Sequence, residues 1–304
     1  MTMRCMLTLL LIAHFAAAPL MAADTQKQQP KPWPPLEGAT QHLYQGTGGV
    51  KLFLHAYYPP GWEASDQRAA IVFLFGGGWV GGNPVQFKPQ CEHLASRGMV
   101  ALSAEYRVKR RHGTTPFECV ADGKAAIRWV RQHACKLGID PNRIVASGGS
   151  AGGHVAACTG FLPGPDEATA ADSRPNALVL FNPAVDTTET GSPRAAEKLG
   201  ERARELSPVH HMRAGVVPTI IFHGTADTAV PIETVRRFRD LMHRAGNRCE
   251  LVEFAGKEHA FFNFIRDREA YDETMRETDE FLYSLGYYSW VTRKRCMKLG
   301  KGQP

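Results

Sequence analysis

The chain has 304 residues, of which 43% are hydrophobic and 22% charged, and its 36 Lys and Arg against 30 Asp and Glu give a net charge of +6. That mixture excludes wholesale disorder, a collagen-like repeat and a coiled coil, and suits one large globular domain or two small ones. The positive balance is compatible with an acidic polysaccharide, a membrane surface or nucleic acid, and selects none of them.

Arg4 precedes an apolar run from Met6 to Ala18, and small residues continue through Ala22 and Ala23. This is the layout of a secretory signal peptide, so residues 1–23 are expected to be removed and the mature protein to be secreted or periplasmic. The run is shorter than the ~20 residues that span a bilayer, and no later segment is long enough, so no integral membrane segment is expected in the mature chain. The prolines at 30, 32, 34 and 35 favour extended backbone, which makes residues 24–40 a leader outside the core.

From Leu52 onward, short apolar runs alternate with helical patterns: Ile71 to Phe75, Val100 to Ala104, Ile144 to Ser147, Ala177 to Phe181, Thr219 to Phe222 and Leu251 to Phe254. Near-continuous apolar runs are what parallel strands covered on both faces require, so the fold class is α/β, with a mostly parallel central sheet and helices on both faces. Thr115, Pro116 and Glu118 form a capping box that opens a long helix, and Gly138 supplies its left-handed stop. Pro231 opens another helix, with Val235, Phe238, Met242 and Ala245 on one face. The catalytic domain is placed at 41–286, followed by a basic tail, 287–304, that contains Arg293, Lys294 and Arg295.

That tail and the run from Arg107 to Arg111 lack interleaved aromatics or zinc-finger spacing, so both read as solvated charge and no nucleic-acid partner is expected. Six of the seven cysteines follow the signal segment, where an oxidising compartment allows disulfides. Their pairing is open, except that Cys119 and Cys135 share one helix and cannot bond to each other. No CxxC or HExxH spacing occurs, and His210 and His211, being adjacent, point apart, so no metal is expected.

The chemistry concentrates in three loops. Gly148-Gly149-Ser150-Ala151-Gly152 follows an apolar strand and precedes an apolar helix, the context of a nucleophile elbow that exposes the Ser150 hydroxyl above the sheet. A serine needs a base, and the base an orienting carboxylate, in the chain order Ser, Asp, His. Asp227 and His259 each follow a strand and so open at the carboxyl edge of the sheet, with Asp186 as the reserve acid. Phe75-Gly76-Gly77-Gly78-Trp79 ends another strand, and the Gly77 and Gly78 N–H groups, with that of Ala151, are candidate oxyanion donors. Trp79 and Phe261 are the candidate substrate-binding residues. His154, one helical turn after Ser150, reads as a packed histidine, and Glu105 and Arg107 as a structural ion pair.

With these residues in view, the chain resembles α/β-hydrolase esterases of the hormone-sensitive-lipase-like and bacterial carbohydrate acetyl/feruloyl esterase groups. The matching segments are Phe75-Gly76-Gly77-Gly78-Trp79, Glu105-Tyr106-Arg107, Gly148 to His154, His223-Gly224-Thr225-Ala226-Asp227 and His259-Ala260-Phe261, and the likeness runs from about Leu52 to Leu285. The resemblance implies Ser150 as nucleophile, Asp227 as acid and His259 as base, with Gly77, Gly78 and Ala151 as oxyanion donors and no cofactor. These families usually place histidine where this chain has Phe75, so the support of the oxyanion loop is expected to differ. The insertion from Pro183 to Val217 implies at most a small lid over a site open to bulky alcohols such as sugars.

The leading reading is a secreted serine carboxylesterase acting on a short acyl ester, acetyl above all, on carbohydrate. An exopeptidase or amidase on the same triad and a non-catalytic, glycan-binding hydrolase fold are the alternatives.

Overall fold

The computed structural model describes residues 31–47, 49–163 and 172–288. The expected signal peptide, residues 24–30 of the leader and most of the basic tail lie outside the described residues. In chain order the elements are β1 (Thr40–Thr47), β2 (Val50–Tyr57), β3 (Arg68–Leu74), α1 (Lys88–Ser96), β4 (Val100–Ala104), α2 (Lys109–His112), α3 (Pro116–Gln132), β5 (Ile139–Gly149), α4 (Ala151–Phe161), β6 (Ala177–Phe181), α5 (Pro193–Leu199), β7 (Thr219–Gly224), α6 (Ile232–Arg244), β8 (Cys249–Phe254) and α7 (Arg268–Ser284).

The eight strands form one sheet in the order β1-β2-β4-β3-β5-β6-β7-β8. The β1–β2 and β2–β4 pairings are antiparallel and all others parallel. Leu74 of β3, for example, faces both Ala104 of β4 and Gly148 of β5. β4 and β6 are buried along their whole length, as strands with helices on both faces must be. Because side chains alternate, the core divides: Val72, Leu74, Ala146 and Leu180 belong to one cluster, and Ile71, Phe73, Val145 and Phe181 to the other.

α3 begins as its capping box dictates: the Thr115 hydroxyl accepts the Phe117 N–H, and the Glu118 carboxylate accepts the Thr115 N–H at 2.8 Å. It ends at Gln132, so Cys135, expected within it, lies in the following turn. The five described cysteines, Cys91, Cys119, Cys135, Cys158 and Cys249, are all free. Among the described residues no helix is long and apolar enough to cross a membrane.

Two boundaries are corrected. The leader, expected to stay outside the core until residue 40, packs onto it from Trp33: this indole is buried edge-on to Phe75 at 5.7 Å and is covered by the Arg111 guanidinium at 4.0 Å. At the other end, Tyr287 is buried and the Tyr288 hydroxyl donates to Asp279 Oδ1 at 2.7 Å, so the first residues assigned to the tail belong to the domain. Glu105 and Arg107 lie past the end of β4 and do not pair with each other, because each takes a different partner. Glu105 contacts His55 at 3.1 Å, and Arg107 forms a two-point pair with Asp122 at 2.7 and 2.8 Å.

Candidate active site

Three parallel strands deliver the site at their carboxyl ends. Ser150 follows β5 directly and adopts φ 55° and ψ −120°, a conformation that an L-residue holds only where its surroundings impose it. Its N–H donates to the Phe181 carbonyl at 2.9 Å, and its own carbonyl accepts the His154 N–H of α4 at 2.9 Å. Gly152 is required, because a Cβ there would collide with the carbonyls of Leu74 and Phe75. Ser150 stands at the N-cap of α4 but makes no side-chain cap. Its hydroxyl lies instead 2.9 Å from His259 Nε2.

His259 Nδ1 in turn lies 2.7 Å from Asp227 Oδ2. Asp227 is buried in the loop after β7, where its other oxygen accepts the N–H groups of Ala229 and Val230 at 2.9 Å each. Burial pushes its pKa upward, but the His259 hydrogen bond, the Val230 N–H and the charges of His259 and His223 outweigh it and hold the carboxyl below its ordinary value. The reserve acid, Asp186, is elsewhere, buried and paired with Arg237 at 3.2 Å.

A cavity of about 330 Å³ opens over this relay and is lined by Ser150, His259, the glycines 76–78, Ala151 and Trp79. Its apolar wall is small-residue rich, with Ala184, Ala195, Ala229, Val230, Ala260 and Phe262. The glycine loop leaves β3 with Gly77 at φ 132° and Gly78 at φ 62°, conformations open to glycine, and a Cβ on Gly77 would strike the Gly81 carbonyl.

Phe75 is wholly buried beneath this loop, stacked on Tyr106 at 4.1 Å, whose hydroxyl donates to the Phe75 carbonyl at 2.5 Å. Aromatic packing therefore occupies the place where the resembled families usually have a histidine. The loop's polar support comes from Gln86, which accepts the Gly76 N–H at 2.7 Å and donates to Asn263 at 2.9 Å; Asn263 donates to the Ala260 carbonyl beside His259 at 2.8 Å.

One substrate-binding assignment is corrected. Phe261 is 2% exposed and packs on Phe254 at 4.6 Å, inside the core, while its neighbours Ala260 and Phe262 line the cavity. The reason is Ala260, whose left-handed φ of 65° rotates the chain so that Phe261 turns inward. Trp79 does line the cavity, and its Nε1 donates to His154 Nδ1 at 3.2 Å. His154 is packed, as its position implied: fully buried, it reaches the Leu206 carbonyl through Nε2 at 2.7 Å.

Several site residues escape sequence reasoning. Ser192, Arg194, Ala195 and Lys198 of the insertion reach over the cavity from α5 and the residue before it. No motif marks them. Among the described residues no group of three or more His, Cys, Asp or Glu side chains could hold a metal ion.

The sheet and the Ser–His–Asp relay at its carboxyl edge define a serine hydrolase of the α/β-hydrolase class. The family model described as BD-FAE matches residues 54–242, and the chain belongs to this family. An esterase of the planctomycete Thermogutta terrifontis, solved with propionate bound, is 51% identical, with a TM-score of 0.80 over 84% of this chain and 97% of that one. The same esterase, solved with butyrate bound, gives 50% identity and a TM-score of 0.79 over 83% of this chain and 96% of that one. The probable carboxylic ester hydrolase LipM of Mycobacterium tuberculosis is 31% identical over 242 residues, 71% of this chain. The chain spans about half the length of the curated relatives it matches, 54% of LipM and 56% of the esterase LipC.

Proposed function

We propose that this protein hydrolyses short-chain carboxylic esters, acetyl above all, from carbohydrate, and that it does so after export. The observation that carries the chemistry is the continuous relay from Ser150 through His259 to Asp227, opening into a cavity edged by the glycine loop.

Ser150 Oγ attacks the ester carbonyl while its proton passes to His259 Nε2, and Asp227 holds the imidazole in the required tautomer and stabilises its charged form. The tetrahedral oxyanion takes the N–H groups of Gly77, Gly78 and Ala151. Collapse expels the alcohol with the proton from His259 and leaves an acyl-Ser150. Water then attacks that ester, gives its proton to His259, and the carboxylic acid departs as Ser150 recovers its proton.

A cavity of about 330 Å³ is at the small end for ligand sites and, with its wall of alanines, accommodates a short acyl group. The short acids bound in the Thermogutta esterase support the same size class. The carbohydrate preference rests on the resemblance and on the short insertion, and export rests on the segment from Arg4 to Ala23. Cell fractionation with N-terminal sequencing of the mature protein tests export.

Initial rates of 4-nitrophenyl acetate hydrolysis by the wild type and by Ser150→Ala test the chemistry. The loss expected is on the order of 10³-fold or more, since only binding and the oxyanion donors remain. Equal, negligible rates from two folded samples would overturn the proposal.

A further inference from the structure

Beside the acyl cavity lies a second one of about 350 Å³, and the two share Gly78, Trp79 and Lys198. The shared wall is the oxyanion loop together with Lys198 of α5. An ester whose carbonyl oxygen sits at that loop, with its acyl chain in the first cavity, can pass its alcohol portion over Gly78 and Trp79 into the second.

The chemistry of the second cavity is that of an anion and hydroxyl site. Lys198 places its ammonium over the Trp79 ring, 5.5 Å from the centroid, and donates to the Gly78 carbonyl at 3.2 Å. Lys109, at the start of α2, lines the same cavity. Arg194 lies one helical turn before Lys198 and lines the acyl cavity. Against these three cations stands one lining acid, Glu197, and the acyl cavity has no acid in its lining.

Lys198 is held below its ordinary pKa, by burial first and by the charges of Arg194 and Lys109, with Glu197 acting in the opposite sense. The cations therefore repel one another, and a bound anion relieves that repulsion. Thr114, also in the lining, has a buried hydroxyl oxygen with no hydrogen-bond partner, a group suited to a sugar hydroxyl.

The geometry points to the second cavity as the alcohol subsite, in which Lys109 and Lys198 select an alcohol that carries a carboxylate, such as an acylated acidic sugar. This deepens, and rests on, the esterase reading. It also gives a role to two members of the basic surface that composition alone leaves as solvated charge.

The test compares kcat/KM for an acetylated methyl glucuronoside with that for the matching acetylated methyl glucoside, which differs only in bearing a hydroxymethyl group instead of the carboxylate. The wild type is expected to favour the glucuronoside by about tenfold, the equivalent of ~1.4 kcal/mol. That preference is expected to shrink toward unity in Lys109→Gln/Lys198→Gln, and partly in Lys109→Gln alone. Raising NaCl from about 20 mM to about 0.5 M is expected to shrink it too, as screening requires. A ratio taken within one preparation cancels any loss of folded protein.

A wild-type ratio of one or less, or a preference retained in the double variant, overturns the inference. Turnover of 4-nitrophenyl acetate with neither sugar hydrolysed also overturns it, while leaving the esterase reading intact. Failure on all three esters removes both.

Discussion

His154 illustrates how a single buried side chain ties chemistry to stability. It sits one turn into α4 after Ser150, yet it faces away from the relay: Trp79 Nε1 donates to its Nδ1, and its Nε2 donates to the Leu206 carbonyl. Accepting at Nδ1 while donating at Nε2 requires the neutral ring with the proton on Nε2. Full burial is the larger cause and pushes its pKa down to about 4, against the Leu206 carbonyl, which favours the charged form. In the unfolded chain the ring has an ordinary pKa of ~6.5 and takes up a proton first as pH falls. The contribution is therefore fully present above ~6.5 and is lost as pH falls toward the folded value, at a scale of about 3 kcal/mol. Urea unfolding of the wild type and of His154→Gln between pH 7.5 and 4 is expected to show the stability gap between them narrowing as pH falls. A constant gap would mean that His154 is not buried neutral. Trp79 is the other end of this strut, so the pocket wall of the oxyanion loop is anchored to the segment that follows α5.

At the scale of elements, loops from different strands are held to each other rather than to their own strands. Gln86, in the single turn before α1, joins the Gly76 amide of the oxyanion loop to Asn263, and Asn263 joins the Ala260 carbonyl next to His259. Gln86→Leu removes both ends of that bridge without touching Ser150 or His259. The expected result with 4-nitrophenyl acetate is a fall in kcat of about tenfold with KM little changed, less than the 10²–10³ that removal of a direct oxyanion donor costs. Gln86→Glu keeps the acceptor for the Gly76 N–H and is expected to recover part of kcat; no recovery would make the bridge structural alone. Strands buried on both faces, such as β4 and β6, are legible residue for residue, because both faces must be apolar and turns bracket them. The positions of Ser150, Asp227 and His259 after β5, β7 and β8 are legible for the same reason, since each follows such a run. β1 is not. Thr40–Thr47 is largely polar, lies at the sheet edge and owes its conformation to pairing with β2, which periodicity in one segment cannot reveal. The α5 residues over the cavity are equally silent, because a seven-residue helix in an insertion has no spacing rule that aims it at a distant strand end.

Across the whole molecule, the segment before β1 closes the fold behind the active site. Trp33 is 6% exposed and lies edge-on to Phe75, which stacks on Tyr106, whose hydroxyl holds the carbonyl of Phe75 at the root of the oxyanion loop. Arg111 covers the outer face of the indole and also donates to the Lys31 carbonyl. A chain of contacts thus runs from residues 31–33 through two aromatic rings to the glycines that line the acyl cavity. It replaces, with packing, the polar support that a histidine at position 75 would supply. Trp33→Ala strips one side of Phe75, and truncating a buried aromatic costs about 3 kcal/mol or more when its neighbours do not collapse into the space. A lowered melting temperature is expected. Because Phe75 leads directly into Gly76, kcat is expected to fall as well, at a temperature where the variant is still folded. Trp33→Phe retains a ring against Phe75 and is expected to recover most of both. Loss of stability with kcat intact would show that the segment only seals the core, and that Gln86 supports the loop without help from the aromatic stack.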